Sequence, residues 1–265
     1  MPELAEVEYY RKQWLPGIGK RIVSVQLHGE KRIFRGAGVA ALERDLVGKK
    51  MTRAQAHGKQ MLFVFGERCW LGVHLGMTGK TRFESAGFAP GKHDHLVLFL
   101  ESGGALVFSD SRMFGRILYA AGEGPPEWWS SLPPEILSDE FTCERLTAYL
   151  KRRAKAPIKS VLLMQEAFPG VGNWMADEIL FKSRISPKRP AGGLSADEQE
   201  KLCAMLRYVS REALRVIGTD WGDLPDSWLF NYRWKDGGVC PKTGWALVRE
   251  KIGGRTTCWS PEWQR

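Results

Sequence analysis

A chain that opens Met-Pro-Glu carries an uncommon nucleophile at its start. Methionine ahead of proline is ordinarily trimmed, which would leave Pro2 as a free secondary amine. An α-amino group titrates near about 7.7–8.0, so a fraction is unprotonated at neutral pH without special burial. Such an amine can attack a sugar C1′ and form an iminium, the covalent strategy of Schiff-base enzymes. Glu3 and Glu6 follow at a spacing that puts both on one face of a helix. One carboxylate could shuttle protons to an opening deoxyribose while the other orients the amine or hydrogen-bonds the sugar. Read by themselves, the two acids equally suit a helix start, where negative charge complements the macrodipole.

A second group of residues points to phosphate. Gly170-Val171-Gly172 precedes Asn173, which opens a helical stretch. Free backbone N–H groups and the helix dipole favour an anion at such a place, although an asparagine there also serves as a plain N-cap. Lys and Arg number 39 against 30 Asp and Glu, a net charge of +9. That excess suits a polyanionic partner. The five cysteines (69, 143, 203, 240 and 258) are odd in number and scattered, unlike a secreted disulfide framework. No apolar run approaches the roughly 18–20 residues that span a bilayer, and the opening lacks the basic and apolar regions of a signal peptide. The expectation is a cytoplasmic, nucleoid-associated protein with no membrane partner, acting as a monomer.

These residues need elements to position them. Leu4, Val7 and Trp14 recur at helical spacing before Pro16-Gly17, which predicts a short first helix. The segments 60–66, 70–76, 95–101 and 105–110 are short, apolar and separated by turn residues, which predicts a β-sandwich or barrel. A Pro- and Gly-rich stretch over 122–135 reads as a linker. Beyond it the pattern turns helical, with helices expected over 142–154 and 157–166 and another from Asn173. A capping box at Ser195 and Glu198 starts a long amphipathic helix expected to stop at Gly218. From about 226 short strands return, with Asp236-Gly237 as the expected hairpin turn.

Six stretches in order carry a family resemblance. PELAEVE at the start resembles the PELPEVE opening of formamidopyrimidine-DNA glycosylases, relatives of endonuclease VIII. HGKQMLF (57–63), HLGMTG (74–79), SDSRMFG (109–115), FPGVGNWMADEILFKSRISP (168–187) and IGGRTTCWSPEWQ (252–264) agree with the same family. The resemblance implies Pro2 as nucleophile, Glu3 as proton shuttle and Glu6 as a second acid. It implies Lys59 as a hairpin-tip cation beside the phosphates of the damaged nucleotide, where a point charge stabilises the elimination. His74, Asn173 and Arg255 resemble the remaining phosphate grip, and Lys159 a lysine near the damaged base. Met77, Arg112 and Phe114 match residues that fill the void left by an extruded nucleotide. Phe can wedge between base pairs, Met adapts to the gap, and Arg offers a donor fork to the orphaned cytosine.

The pattern departs from the family at its end. Where the family carries a zinc finger of form C-x2-C…C-x2-C, this chain reads Cys240-Pro241-Lys242-Thr243 and Cys258-Trp259-Ser260-Pro261. Thr243 and Pro261 replace two ligands, and structural zinc wants four N or S donors. No cofactor is therefore expected, and the hairpin should be a zincless finger held by Trp245, Trp259 and Trp263. A bridge between Cys240 and Cys258 is geometrically conceivable but unexpected in a reducing compartment. The segment 218–234 is short and Trp-rich, without the longer loop that closes over 8-oxoguanine in some members. Together these readings imply an α+β chain in three parts: an N-terminal helix and β-sandwich catalytic domain (1–125), a helical domain with the helix-two-turns-helix element (126–225) and a zinc-free hairpin (226–265). Double-stranded DNA with damaged bases or abasic sites would lie in a basic cleft between domains. The implied activity is a bifunctional glycosylase and lyase for oxidised purines. The alternatives are the same chemistry on oxidised pyrimidines, or a damage-binding protein without catalysis.

Overall fold

Eight strands account for the apolar runs of the first half. The computed structural model describes residues 1–265, which divide into two units: residues 1–2 with 6–132, and residues 3–5 with 133–265. The first unit holds most of α1 (Leu4–Lys12), then β1 (Ile22–Leu27), α2 (Val39–Leu46), β2 (Met51–His57) and β3 (Gln60–Phe65). It continues through β4 (Cys69–His74), β5 (Lys80–Glu84), β6 (Asp94–Leu100), β7 (Ala105–Ser109), β8 (Arg116–Ala121) and the single turn α3 (Glu127–Ser130). The strands form two antiparallel sheets ordered β1-β6-β7-β5 and β2-β3-β4-β8.

The two sheets share one core. Met61, Phe63 and Phe65 of β3 pack with Leu96, Leu98, Leu106 and Phe108 of the other sheet. Leu62 and Val64 point the opposite way, beneath Trp70, Trp128 and Trp129. Burial on both faces is why QMLFVFG reads as a continuous apolar run and not an alternation. Trp14 is fully buried in this core against Phe63, its indole N–H donating to the Val107 carbonyl at 3.2 Å.

The second unit contains α4 (Cys143–Arg152), α5 (Ile158–Leu162), α6 (Asn173–Ser183), α7 (Ala196–Asp220), β9 (Val248–Ile252) and β10 (Arg255–Trp259). The class is α+β, as the sequence implies. The capping box forms: Ser195 Oγ accepts the Glu198 N–H at 3.2 Å and Glu198 Oε2 accepts the Ser195 N–H at 2.8 Å. Two local expectations are corrected. Helix α7 runs through buried Gly218 to Asp220, and Trp221 in the left-handed region (φ 56°) ends it. Its stop is made by N–H donation from Trp221 to the Ile217 carbonyl and from Gly222 to the Val216 carbonyl. The β9–β10 hairpin turns at Gly253-Gly254, not at Asp236-Gly237. A disulfide joins Cys143 of α4 to Cys203 of α7 across 60 residues, with the Cα atoms 5.7 Å apart. No helix is long and apolar enough to cross a membrane.

Candidate active site and nucleic-acid interface

The N-terminus of α6 is built around the third residue of the chain. Glu3 lies just before α1, so it does not share a helix face with Glu6. Its carboxylate, 3% exposed, accepts three backbone N–H groups: Trp174 on Oε1 at 2.9 Å, with Gly172 and Met175 on Oε2 at 3.0 Å each. These are the donors that a helix start leaves without intrahelical partners, and the dipole favours the negative charge there. The Leu4 N–H adds a bond to the Gly170 carbonyl at 3.0 Å. Glycine is required at 172, because a Cβ there would lie 2.2 Å from Glu3 Cδ. The anion at this helix end is therefore the protein's own carboxylate, where the sequence alone suggested a phosphate. Pro2, next to Glu3 in the chain, is half-buried. Glu6, half-buried on α1, acts with burial and Tyr9 to push the Tyr10 hydroxyl upward, burial being the largest cause.

Asn173 and Arg255 are brought together by the hairpin. The Asn173 side-chain amide donates to the Thr256 carbonyl at 2.8 Å, one residue from exposed Arg255. One stripe of α6 continues the attachment. Asp177 Oδ2 accepts the Cys258 N–H at 3.0 Å, the Phe181 carbonyl accepts the Trp263 indole at 3.0 Å, and Arg184 lies 3.8 Å over the Trp263 ring. Trp259 is also secured, donating to Glu250 at 2.8 Å. Trp245, expected to help hold the hairpin, is 66% exposed and does not.

Lys159 lies in the interior of the second unit, with no exposed surface. Its ammonium pairs with Asp177 Oδ1 and donates to the Asn173 carbonyl at 2.6 Å. Asp177 Oδ2 also receives Arg233, from Nε at 3.1 Å and Nη2 at 2.6 Å. Burial pulls the Lys159 ammonium below its ordinary range, and Asp177 opposes that. The geometry makes Lys159 a support beneath Asn173, buried and paired with Asp177, whereas the resemblance implied a lysine near the damaged base. Asp177 and Arg233 were not singled out from sequence. Asp177 stands one helical turn after Asn173, a spacing that could have marked it.

The first unit carries a cationic row and an exposed wedge. Strand register sets Gln60 and Arg116 on either side of His74, with Lys59 one residue beyond Gln60. Burial is the main cause that lowers the His74 pKa, helped by the charges of Lys59 and Arg116. His74 Nδ1 accepts the Gly76 N–H at 3.0 Å, so Nε2 carries the proton of the neutral ring and is the donor available to a phosphate. Arg116 joins this row and was missed, although it closes the motif RMFGR. Met77 and Phe114 are 42% and 45% exposed, and the exposed Arg112 stacks over Phe114 at 4.9 Å. Arg32, also missed, covers Phe114 at 4.8 Å and donates to the Met113 carbonyl at 2.7 Å. Two guanidinium groups thus lie against the exposed Phe114 ring.

At the hairpin base, Cys240 and Cys258 are buried with Phe181, Leu229 and Leu247. Burial pushes the Cys240 thiol up, but the neighbouring Ser260 and Thr243 side chains and the backbone N–H groups of Lys242 and Thr243 outweigh it and leave the pKa below the ordinary value. The Cys258 thiol is pushed up to about 11 by burial and the neighbouring Asp177. No group of three His, Cys, Asp or Glu assembles here. Two sulfurs and hydroxyls fall short of the four-donor set a structural zinc requires.

Comparisons with known proteins point to one family. The family model for the formamidopyrimidine-DNA glycosylase N-terminal domain matches residues 1–117, and that for the formamidopyrimidine-DNA glycosylase H2TH domain matches 132–222. The chain is 35% identical to the formamidopyrimidine-DNA glycosylase of Carboxydothermus hydrogenoformans and 34% identical to that of Laribacter hongkongensis, with 100% of this chain and of each relative covered. Among solved structures it resembles the Lactococcus lactis Fpg protein bound to FAPY-dG-containing DNA, at 26% identity and TM-score 0.88 over 99% of this chain and 100% of that one. A MutM complex with carbocyclic 8-oxo-G DNA matches at 27% identity and TM-score 0.88 over 100% of both chains. The Lactococcus lactis protein bound to oxidised-pyrimidine DNA matches at 26% and 0.89, again over 100% of both.

Proposed function

The chain belongs to the formamidopyrimidine-DNA glycosylase family and is a DNA glycosylase of base excision repair; from that premise we propose that it removes oxidised purines and then cleaves the strand as a lyase. The observation that carries the reading is the Glu3 carboxylate, fixed by three backbone N–H groups beside Pro2 in the chain. In the proposed mechanism the damaged nucleotide leaves the stack and the Pro2 nitrogen attacks C1′. The C1′–N bond to the base breaks, and the base departs with a proton. The sugar ring opens to an iminium on Pro2. Loss of a C2′ proton then expels the 3′ phosphate, a second elimination expels the 5′ phosphate, and water releases Pro2. Glu3 is the proposed proton shuttle for ring opening. Lys59, His74, Arg116, Asn173 and Arg255 are the proposed phosphate contacts, and Met77, Arg112 and Phe114 fill the void.

The preference for purines rests on Arg112 and Phe114 and on relatives bound to FAPY-dG and 8-oxo-G DNA. The relative bound to oxidised-pyrimidine DNA supports a second reading, the same chemistry on pyrimidine lesions. We also propose that the finger holds no zinc, the support being its two-thiol donor set.

Borohydride trapping on an 8-oxoguanine:cytosine duplex, followed by peptide mapping, tests the mechanism. The expected product is DNA tethered to Pro2; an adduct elsewhere, or none, overturns it. Glu3→Gln should keep binding and lose base excision. Parallel duplexes carrying single pyrimidine lesions separate the two substrate readings.

A further inference from the structure

Asp110 follows β7 and is 1% exposed. Its carboxylate reaches two different loops. Oδ1 accepts the Thr78 hydroxyl at 2.6 Å and the Arg112 N–H at 3.2 Å, and Oδ2 accepts the Gly115 N–H at 2.7 Å. Its backbone is fixed as well: the N–H donates to the His93 carbonyl and the carbonyl accepts from His95 Nε2, each at 3.0 Å. Thr78 is the neighbour of Met77, while Arg112 and Gly115 bracket Phe114. The loops also touch through their backbones. Gly76 sits at φ 62°, and a Cβ there would lie 2.3 Å from the Phe114 carbonyl carbon.

A buried carboxylate that accepts this many donors holds its surroundings in one arrangement, because each orphaned donor would carry a desolvation penalty. Here the surroundings are the bases of exposed Met77, Arg112 and Phe114. Met113, between the last two, is kept at φ 54°, a left-handed conformation that non-glycine residues avoid unless the structure imposes it. Loops left free would have to be ordered as they entered a duplex, and that entropy would oppose base extrusion. We propose that Asp110 is a positioning residue that joins the 75–79 and 110–115 loops into one preformed wedge, so that Met77, Arg112 and Phe114 enter the helix together. The Thr78 hydroxyl is the tie between the two loops. This inference rests on the glycosylase reading.

Thr78→Val removes the tie at nearly constant volume, Thr78→Ser restores it, and Asp110→Asn weakens the whole hub. Single-turnover excision is measured on 8-oxoguanine opposite cytosine, where an orphaned base must be replaced. Borohydride trapping on a single-stranded abasic oligonucleotide measures the chemistry where no void forms. Thr78→Val and Asp110→Asn should each lose about tenfold or more on the duplex, the scale of a small misplacement in a preorganised site. Trapping should be unchanged, and Thr78→Ser should match wild type. Equal losses on both substrates, or no loss on the duplex, overturn the proposal. A wild-type protein that neither excises nor traps overturns the glycosylase reading instead.

Discussion

Replacing Asp177 by asparagine tests how the hairpin is attached. The wild-type carboxylate faces Lys159 and Arg233, whose side chains are 0% and 6% exposed, and its own side chain is 0% exposed. The amide keeps the shape but leaves two buried cations without their anion. Breaking a buried pair this way costs roughly 3–5 kcal/mol. At roughly 2–4 °C per kcal/mol for a protein of this size, the melting temperature should fall by about 6–20 °C. Lys159 is already depressed by burial, and without Asp177 it is driven further toward the neutral amine. The sign follows. When the folded protein binds fewer protons at Lys159 than the unfolded chain, stability rises with pH, up to the unfolded lysine value of about 10.4. The deficit of Asp177→Asn should therefore be smaller at pH 9.5 than at pH 7. Thermal unfolding followed by tryptophan fluorescence reads the shift, and a thiol reagent should label Cys258 faster once its N–H loses the carboxylate. The triple substitution Lys159→Met, Asp177→Leu, Arg233→Met removes both cations together with their anion, leaves the Cys258 N–H without its acceptor at a cost of about 1–3 kcal/mol, and should cost less than the single substitution. If Asp177→Asn melted within about 2 °C of wild type, or the triple substitution cost more than the single one, the ion cluster would not be what secures the hairpin.

Other outcomes follow from the same structure. Burial raises the Glu178 carboxyl from 4.5 to about 7 against the opposing charge of Lys182, so the folded state holds its proton longer than the unfolded chain. That contribution is present below the unfolded value and is lost as pH rises through about 7, a loss of about 3 kcal/mol. Glu178→Gln should flatten this part of a stability–pH profile measured by denaturant titration. Removing the Cys143–Cys203 bridge, which spans 60 residues, should lower stability by about 4 kcal/mol in the chain-entropy account, seen as a drop in melting temperature on reduction that a Cys143→Ser, Cys203→Ser variant does not show. Dialysis against a strong chelator should leave the melting temperature and DNA binding unchanged; a loss restored by zinc would refute the metal-free finger.

Local signals in the sequence were legible and distant ones were not. The runs 60–66, 70–76, 95–101 and 105–110 match β3, β4, β6 and β7 within a residue or two, because apolar strand density and turn residues are read within short windows. Ser195 and Glu198 identified their capping box for the same reason. Gly218 misled because a glycine inside a buried helix face looks like a stop until the packing around it is known. The partners of Glu3 lie some 170 positions away, and nothing near Glu3 announces them. Cys143 and Cys203 carry no pairing signal apart from the fold that joins α4 to α7. Asp110, Asp177 and Arg233 went unmarked because an acid or a guanidinium in an ordinary stretch suggests solvent. Their importance comes from burial, which only the packed chain reveals. Met77 and Phe114, by contrast, would pass for core residues by composition, and it is the family motifs that give them an outward role.

The Glu3 contact also has a consequence for how the protein is made. Residues 3–5 belong with 133–265, so the later part cannot finish its own fold from its own sequence. A ribosome releases the capping acid first and the helix it caps some 170 residues later. Until then the acid has no seat, and the nascent helix, once it emerges, depends on a segment synthesised long before it. An isolated 133–265 fragment should therefore be incomplete, and a short peptide carrying the first residues should improve its folding when added in trans.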